Sequence, residues 1–77
     1  MDVNDRFTVD DIWKGLQVIE NPRSYRAIET CAMERDLYVS ERRKRFIPAS
    51  KLAELIIYLG VFSTAEDLTR VCRDTHE

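Results

Sequence analysis

The chain has 77 residues, of which 44% are hydrophobic and 34% are charged, and its formal net charge is −2. This length and composition are typical of one globular domain near the lower size limit for a single hydrophobic core. The longest apolar run, residues 55–59, is too short to cross a bilayer, and the acidic opening MDVNDRF does not resemble a secretory signal. We therefore expect one small domain over residues 1–77, located in the cytoplasm and without a membrane partner.

Charge is distributed unevenly along the chain. Residues 1–21 and residues 52–77 each carry two basic and five acidic side chains, whereas residues 22–51 carry eight basic and four acidic ones. Four basic residues are consecutive: Arg42, Arg43, Lys44 and Arg45. A solvated loop that keeps a small protein soluble has this composition, and so does a surface that contacts phosphates. Both interpretations stay open from the residues alone.

The first predicted helix begins after Thr8, which is a good N-cap residue. Asp11 stands at the capping-box position, and Phe7 and Ile12 stand at the two positions of a hydrophobic staple. The helix should end near Glu20, because the next residue precedes a proline. Residues at helical spacing predict its buried face: Val9, Ile12, Trp13, Leu16 and Ile19.

Asn21 and Pro22 predict the start of a second helix, with Asn21 as the N-cap and Pro22 as the first helical residue. The periodicity fades after Arg35. The residues expected on the inner face are Tyr25, Ile28, Cys31 and Ala32. The residues expected to point outward are Arg23, Ser24, Arg26, Glu29 and Thr30.

Residues 37–47 have two competing interpretations. Strand-favouring residues at 37–39 and at 46–47 predict a short β-hairpin around a basic interval, residues 40–45. No glycine, asparagine or aspartate is present to supply a positive φ, so we expect a longer loop rather than a two-residue turn. The alternative continues the second helix to about Arg45, since ERRKR contains strong helix formers. We favour the hairpin.

Two more helices follow Pro48, which can lie in the first turn of the next helix. An apolar stripe predicts that this third helix is the core of the fold, and Ala53 and Ile57 widen the stripe to most of the circumference. Gly60 should end it in a left-handed conformation. Ser63 and Glu66 form a capping box for a fourth helix. Its expected inner residues are Ala65, Leu68, Val71 and Cys72. The fold class is therefore mainly α, with about four helices and a short β-hairpin.

No residue pattern predicts catalysis, so we expect no enzyme activity and no cofactor. The single histidine, His76, is near the end of the chain, and Cys31 and Cys72 have no basic neighbour in sequence that would activate them. Two separated cysteines and one histidine do not supply the four clustered ligands of a zinc site. Both cysteines are expected to be small buried side chains without a disulfide.

The order of these elements resembles the winged helix of phage excisionases and MerR-type regulators. Residues 8–12 open a helix, a second helix follows Asn21, a basic hairpin comes next, and FIPASKL leads into the third helix. The resemblance covers about residues 7–59. It implies that the second helix enters the DNA major groove and that the hairpin, the wing, contacts the backbone or the minor groove. Carried over to this chain, the recognition-helix start is Arg23, Ser24, Tyr25 and Arg26, and the wing is Arg42, Arg43, Lys44 and Arg45.

Two functional hypotheses follow. The leading one is a small regulator of phage or mobile-element type that binds double-stranded DNA through Arg23, Ser24 and Arg26 and through residues 42–45. A module this small needs a dimer or neighbouring copies to reach useful specificity. The alternative is a helical protein-interaction module that binds an acidic host protein through its basic residues, or a partner or second copy through Tyr58, Val61 and Phe62.

Overall fold

The computed structural model describes residues 6–76, apart from the side chains of Glu41, Thr75 and His76, so most of the acidic opening lies outside the described residues. The elements in chain order are β1 (Arg6–Phe7), α1 (Val9–Val18), α2 (Tyr25–Glu34), β2 (Val39–Glu41), β3 (Lys44–Pro48), α3 (Leu52–Leu59) and α4 (Ala65–His76). One turn of 3-10 helix, Ala49–Lys51, joins β3 to α3. The predicted fold class, mainly α with four helices and a short hairpin, is confirmed.

The strands form one antiparallel sheet in the order β1-β3-β2. The hairpin interpretation of residues 37–47 is therefore confirmed, and the continuation of the second helix to Arg45 is wrong. Strand β1 was not predicted, because two residues are too few to show an alternating pattern. The paired residues are Arg6 with Pro48 and Phe7 with Ile47, and then Val39 with Phe46, Ser40 with Arg45 and Glu41 with Lys44.

The hairpin turn differs from the expected long loop. Glu41 pairs with Lys44, so only Arg42 and Arg43 connect the two strands. Both have positive φ, 51° and 66°, which is the requirement of the two-residue turns that match the twist of a hairpin. The prediction was wrong because it treated the absence of glycine and asparagine as decisive. Here arginine occupies the left-handed region, which costs about 1–2 kcal/mol per residue for a side chain with a β-carbon.

The core lies between the sheet and all four helices. Helices α1 and α4 pack closely at Gly15, where an added β-carbon would lie 3.0 Å from the Cys72 sulfur. Fully buried side chains come from every helix and from β3 and the segment before β2: Ile12, Leu16, Ile28, Leu37, Ile47, Leu52, Leu55, Leu68 and Cys72. Trp13 and Ile19, expected on the buried face of the first helix, are partly buried and pack against this core.

The first helix is capped as predicted. The backbone N–H of Asp11 donates to the Thr8 hydroxyl, and the backbone N–H of Thr8 donates to the Asp11 carboxylate, which completes the capping box. Gly60 adopts the predicted left-handed conformation, with φ of 73°. The ends of α1 and α2 use the same motif without glycine: Glu20 and Asp36 have φ of 58° and 52° and stand where a Schellman cap places its left-handed residue.

Two predicted helix starts are wrong by one to three residues. Helix α2 is capped by Ser24, whose hydroxyl accepts from the Ala27 N–H, so residues 21–23 are a connection rather than a cap and first turn. Helix α4 is capped by Thr64, whose hydroxyl accepts from the Asp67 N–H. In both places several adjacent residues can act as caps, and tertiary packing selects among them.

Exposure corrects three assignments to the core. Tyr25 is 44% exposed, Ile57 is 72% exposed, and Ala53 also faces solvent. Only one side of α3, represented by Leu52, Leu55 and Ile56, is buried. The apolar residues on its other side therefore lie on the surface, although the composition of the helix suggested that it was buried on most of its circumference.

Candidate nucleic-acid interface

The tip of the hairpin is a cluster of free cations. Arg42, Arg43 and Lys44 are exposed, and no described side chain forms an ion pair or a hydrogen bond with any of them. The antiparallel pairing of β2 with β3 fixes the conformation of the tip. The turn thus presents three positive charges with no internal partner among the described residues, in a position set by backbone hydrogen bonds.

Arg45 of β3 contacts the aromatic residue just before β2. Its guanidinium lies over the Tyr38 ring, 5.7 Å from the centroid, within the range of a cation–π contact. Burial raises the pKa of Tyr38, and nearby Glu29 and Tyr25 raise it further. Because Glu29 and Tyr25 belong to α2, Tyr38 at the base of the hairpin lies near that flank of the helix. The edge of the Trp13 ring also meets Tyr25, at 6.4 Å between centroids.

Helix α2 has an open face next to that flank. Its buried residues are Ile28 and Ala32, and successive residues turn by about 100° around the helix axis. The residues farthest from the buried side are Arg26, Thr30 and Glu34, followed by Ala27 and Met33, and all of them are exposed. This face carries one cation, one carboxylate, one hydroxyl and one flexible apolar side chain, and its cation and hydroxyl can contact both phosphates and base edges.

Arg23 does not point outward as predicted. Its Nε donates to the Leu59 carbonyl at 3.2 Å, one Nη donates to the Gly60 carbonyl at 3.0 Å, and the other donates to the Pro22 carbonyl at 2.9 Å. A cation at the C-terminus of a helix also interacts favourably with the helix dipole. Arg23 therefore ties the segment before α2 to the end of α3, and its role in the fold is structural. Ser24 is likewise occupied as the cap of α2.

A groove between α2 and the end of α3 contains a basic residue that the sequence interpretation did not include. This open space of about 510 Å³ is lined by Arg26, Ala27, Thr30 and Cys31 from α2 and by Arg35 and Tyr58, among others. The Arg35 guanidinium lies over the Tyr58 ring, 3.9 Å from its centroid. The signal in the sequence was only a lone arginine after a fading helical pattern, which predicts nothing about a site.

The residues predicted for protein binding are not a single surface. Val61 is 8% exposed and belongs to the core, because it follows Gly60 and its N–H closes the C-terminal cap of α3 on the Ile56 carbonyl. Phe62 is 94% exposed and Tyr58 is 55% exposed. The side chain that the sequence interpretation missed here is Ile57, which it had assigned to the core.

The described residues offer little for other chemistry. Within residues 6–76, no group of three or more histidine, cysteine, aspartate or glutamate side chains could hold a metal ion. Both cysteines are free thiols. Burial raises the pKa of Cys31, and burial with nearby Asp11 raises the pKa of Cys72 to about 12, so neither is an activated nucleophile. No described helix combines the length and the apolar character needed to span a bilayer.

Fold and site together define a small, mainly α domain that carries a basic β-hairpin beside an open helix face. Comparison of the chain with protein-family models, with curated proteins and with solved structures finds no match.

Proposed function

We propose that the chain is a small DNA-binding regulatory protein. In this proposal the β2–β3 hairpin contacts the phosphate backbone through Arg42, Arg43 and Lys44, and α2 presents Arg26 and Thr30 to the major groove. The order of elements from β1 to α3 and the hairpin beside the second helix are consistent with the winged-helix resemblance in the sequence. Arg23 is not a contact in this proposal, because its donors are bound to carbonyls.

The observation that carries the proposal is the pair of arginines at positive φ in the hairpin turn. Asparagine and glycine fit these two positions with much less strain. Backbone strain of this kind is found preferentially at functional sites, where a local preference is overridden by another requirement. Four consecutive basic residues at an exposed tip indicate that the requirement is binding of an anion, and a row of phosphates is the partner that such a row of charges fits.

A salt titration of duplex DNA binding tests the proposal. The affinity should fall steeply as salt rises, because each neutralised phosphate releases counterions. The variant Arg42→Gln/Arg43→Gln should weaken binding and lower the slope of log Kd against log salt by about 1.8, which corresponds to two phosphates.

The matched control is Lys14→Gln/Arg70→Gln, which removes two charges from exposed helical ion pairs outside the proposed interface. It should leave the slope near that of the unmodified protein. Absence of duplex binding at low salt, or equal effects of the two double variants, would contradict the proposal.

A second candidate function is a protein-interaction module, and the exposure of Ile57, Tyr58 and Phe62 favours it. These large apolar side chains lie on the solvent side of α3 and just after its end, and aromatic residues often dominate binding energy in interfaces. The same surface would serve a homodimer or a separate acidic partner that also contacts the basic residues. Phe62→Ser should then abolish self-association in analytical ultracentrifugation or capture of the partner, without lowering the thermal stability of the domain.

A further inference from the structure

Helix α2 has two distinct flanks on either side of its open face. The base of the hairpin lies near the flank that contains Tyr25 and Glu29, because both act electrostatically on Tyr38, and Arg45 of β3 lies over the Tyr38 ring. The groove toward α3 lies along the opposite flank, which contains Ala27 and Cys31. Around the axis of α2, the base of the hairpin is therefore followed by the open face and then by the groove.

A DNA major groove has a matching cross-section. It is about 12 Å wide, it admits one α-helix, and a phosphate backbone borders it on each side. If α2 lies in the major groove and the hairpin contacts one backbone, the other backbone passes along the opposite flank of α2. The side chains at that flank therefore face phosphates.

Arg35 is held in a defined position at this flank. Its guanidinium lies over the Tyr58 ring at 3.9 Å, and one Nη is 3.5 Å from the Glu34 carboxylate. Stacking on an aromatic face leaves the edge of the guanidinium plane open, and that edge carries the donors for bidentate phosphate binding. About one third of the Arg35 side chain remains exposed.

The charge of the groove favours an anion. Its lining includes the cations Arg23, Arg26 and Arg35 and one acidic residue, Glu34. Arg35 already partly neutralises Glu34, and Arg23 is directed to backbone carbonyls. The cations left to meet a ligand are Arg26 and the open edge of Arg35.

We propose that Arg35, positioned by Tyr58, binds a backbone phosphate on the DNA strand opposite to the one contacted by the hairpin. This inference rests on the proposed DNA-binding function. It adds a contact residue that lies outside the basic run and outside the recognition-helix start. Helix α2 then lies between two sets of phosphate contacts, one from the hairpin and one from Arg35.

The test compares duplex DNA binding by the unmodified protein, Arg35→Gln, Arg35→Lys and Tyr58→Phe over a range of salt concentrations. Arg35→Gln should weaken binding about tenfold at low salt and lower the salt slope by about 0.9. Arg35→Lys keeps the charge but loses the planar guanidinium that stacks on Tyr58. It should therefore weaken binding while keeping most of the salt slope. Tyr58→Phe retains the ring and should bind as the unmodified protein does. Arg70→Gln, an exposed arginine on α4, is the control of equal charge.

The outcomes distinguish a failure of this inference from a failure of the proposed function. If the unmodified protein binds DNA and Arg42→Gln/Arg43→Gln lowers the slope while Arg35→Gln does not, the inference is wrong and the function stands. A loss of affinity in Arg35→Gln with an unchanged slope would assign Arg35 a structural role and would also overturn the inference. If Arg35→Gln does not fold, a wild-type affinity of Arg35→Lys overturns it. If the unmodified protein binds no duplex at low salt, both proposals fail together.

Discussion

Gly15 and Cys72 show how closely two helices approach at a single residue. The thiol of Cys72 donates to the Asp11 carbonyl at 3.7 Å, one turn before Gly15 on α1. A β-carbon on Gly15 would lie 3.0 Å from that sulfur and 3.5 Å from a Leu68 methyl group. The two helices can be this close only because position 15 has no side chain, so packing rather than backbone conformation requires the glycine.

Gly15→Ala should therefore lower the free energy of unfolding by about 1 kcal/mol, although alanine is the better helix former by about that amount. The steric overlap with the Cys72 sulfur has to exceed the gain in helix propensity. Urea denaturation of Gly15→Ala, of Cys72→Ala and of the double variant measures this balance. In a Cys72→Ala background the overlap disappears, and Gly15→Ala should then be neutral or stabilising. An increase in stability for Gly15→Ala alone would contradict this account of the crossing.

At single residues, sequence patterns predicted the caps of α1 and α3 because Thr8 and Gly60 have few local competitors. They failed for Arg23, since a helical position and a positive charge do not reveal that carbonyls 36 and 37 residues away accept its hydrogen bonds. They also failed for Ile57, whose exposure depends on which side of α3 faces the rest of the fold. Long-range contacts of this kind leave no local signature.

Among the elements, the hairpin carries the clearest conflict between local preference and observed structure. Residues 42 and 43 adopt positive φ although both are arginine. The register pairs Glu41 with Lys44, so the loop between the strands contains only two residues. The strand-favouring residues at 37–39 and 46–47 specify the two strands well enough to predict their existence, but the turn follows from the register, which depends on the core side chains Leu37 and Ile47.

Arg42→Asn/Arg43→Gly should raise the free energy of unfolding by about 1 kcal/mol, because asparagine and glycine accept the left-handed conformation with less strain. For a domain of this size the midpoint of thermal unfolding should rise by about 4–8 °C. Circular dichroism during heating measures this change.

The control for this variant is Arg42→Gln/Arg43→Gln, which removes the same charge but keeps a β-carbon at both strained positions. Its thermal midpoint should match that of the unmodified protein, while both double variants should lose DNA affinity to a similar extent. A destabilised Asn-Gly variant would mean that the arginine side chains stabilise the folded hairpin by contacts of their own.

For the molecule as a whole, burial of Cys72 links folding to alkaline pH. Burial raises the pKa of the Cys72 thiol from its ordinary value of 9.0 to about 12, so the folded protein holds a proton that the unfolded chain releases. The contribution to stability is complete below pH 9 and is lost progressively as the pH rises toward 12.

The free energy of unfolding should fall above pH 9 by up to about 1.4 kcal/mol per pH unit from this group. Tyr38, whose pKa is also raised, contributes in the same direction. Chemical denaturation of the unmodified protein and of Cys72→Ala at several alkaline pH values isolates the part due to the thiol. The decline should be shallower in Cys72→Ala, and equal slopes for the two proteins would show that Cys72 titrates normally.

Glu20 and Asp36 have a practical consequence for experiments on this protein. Each ends a helix in the left-handed conformation that glycine adopts at least cost, and neither is a proposed contact with DNA. The chain thus contains sites where glycine should act as a general suppressor of destabilising substitutions. A Glu20→Gly background would let weakened variants of the hairpin or of Arg35 remain folded, so that their binding could be compared at one temperature.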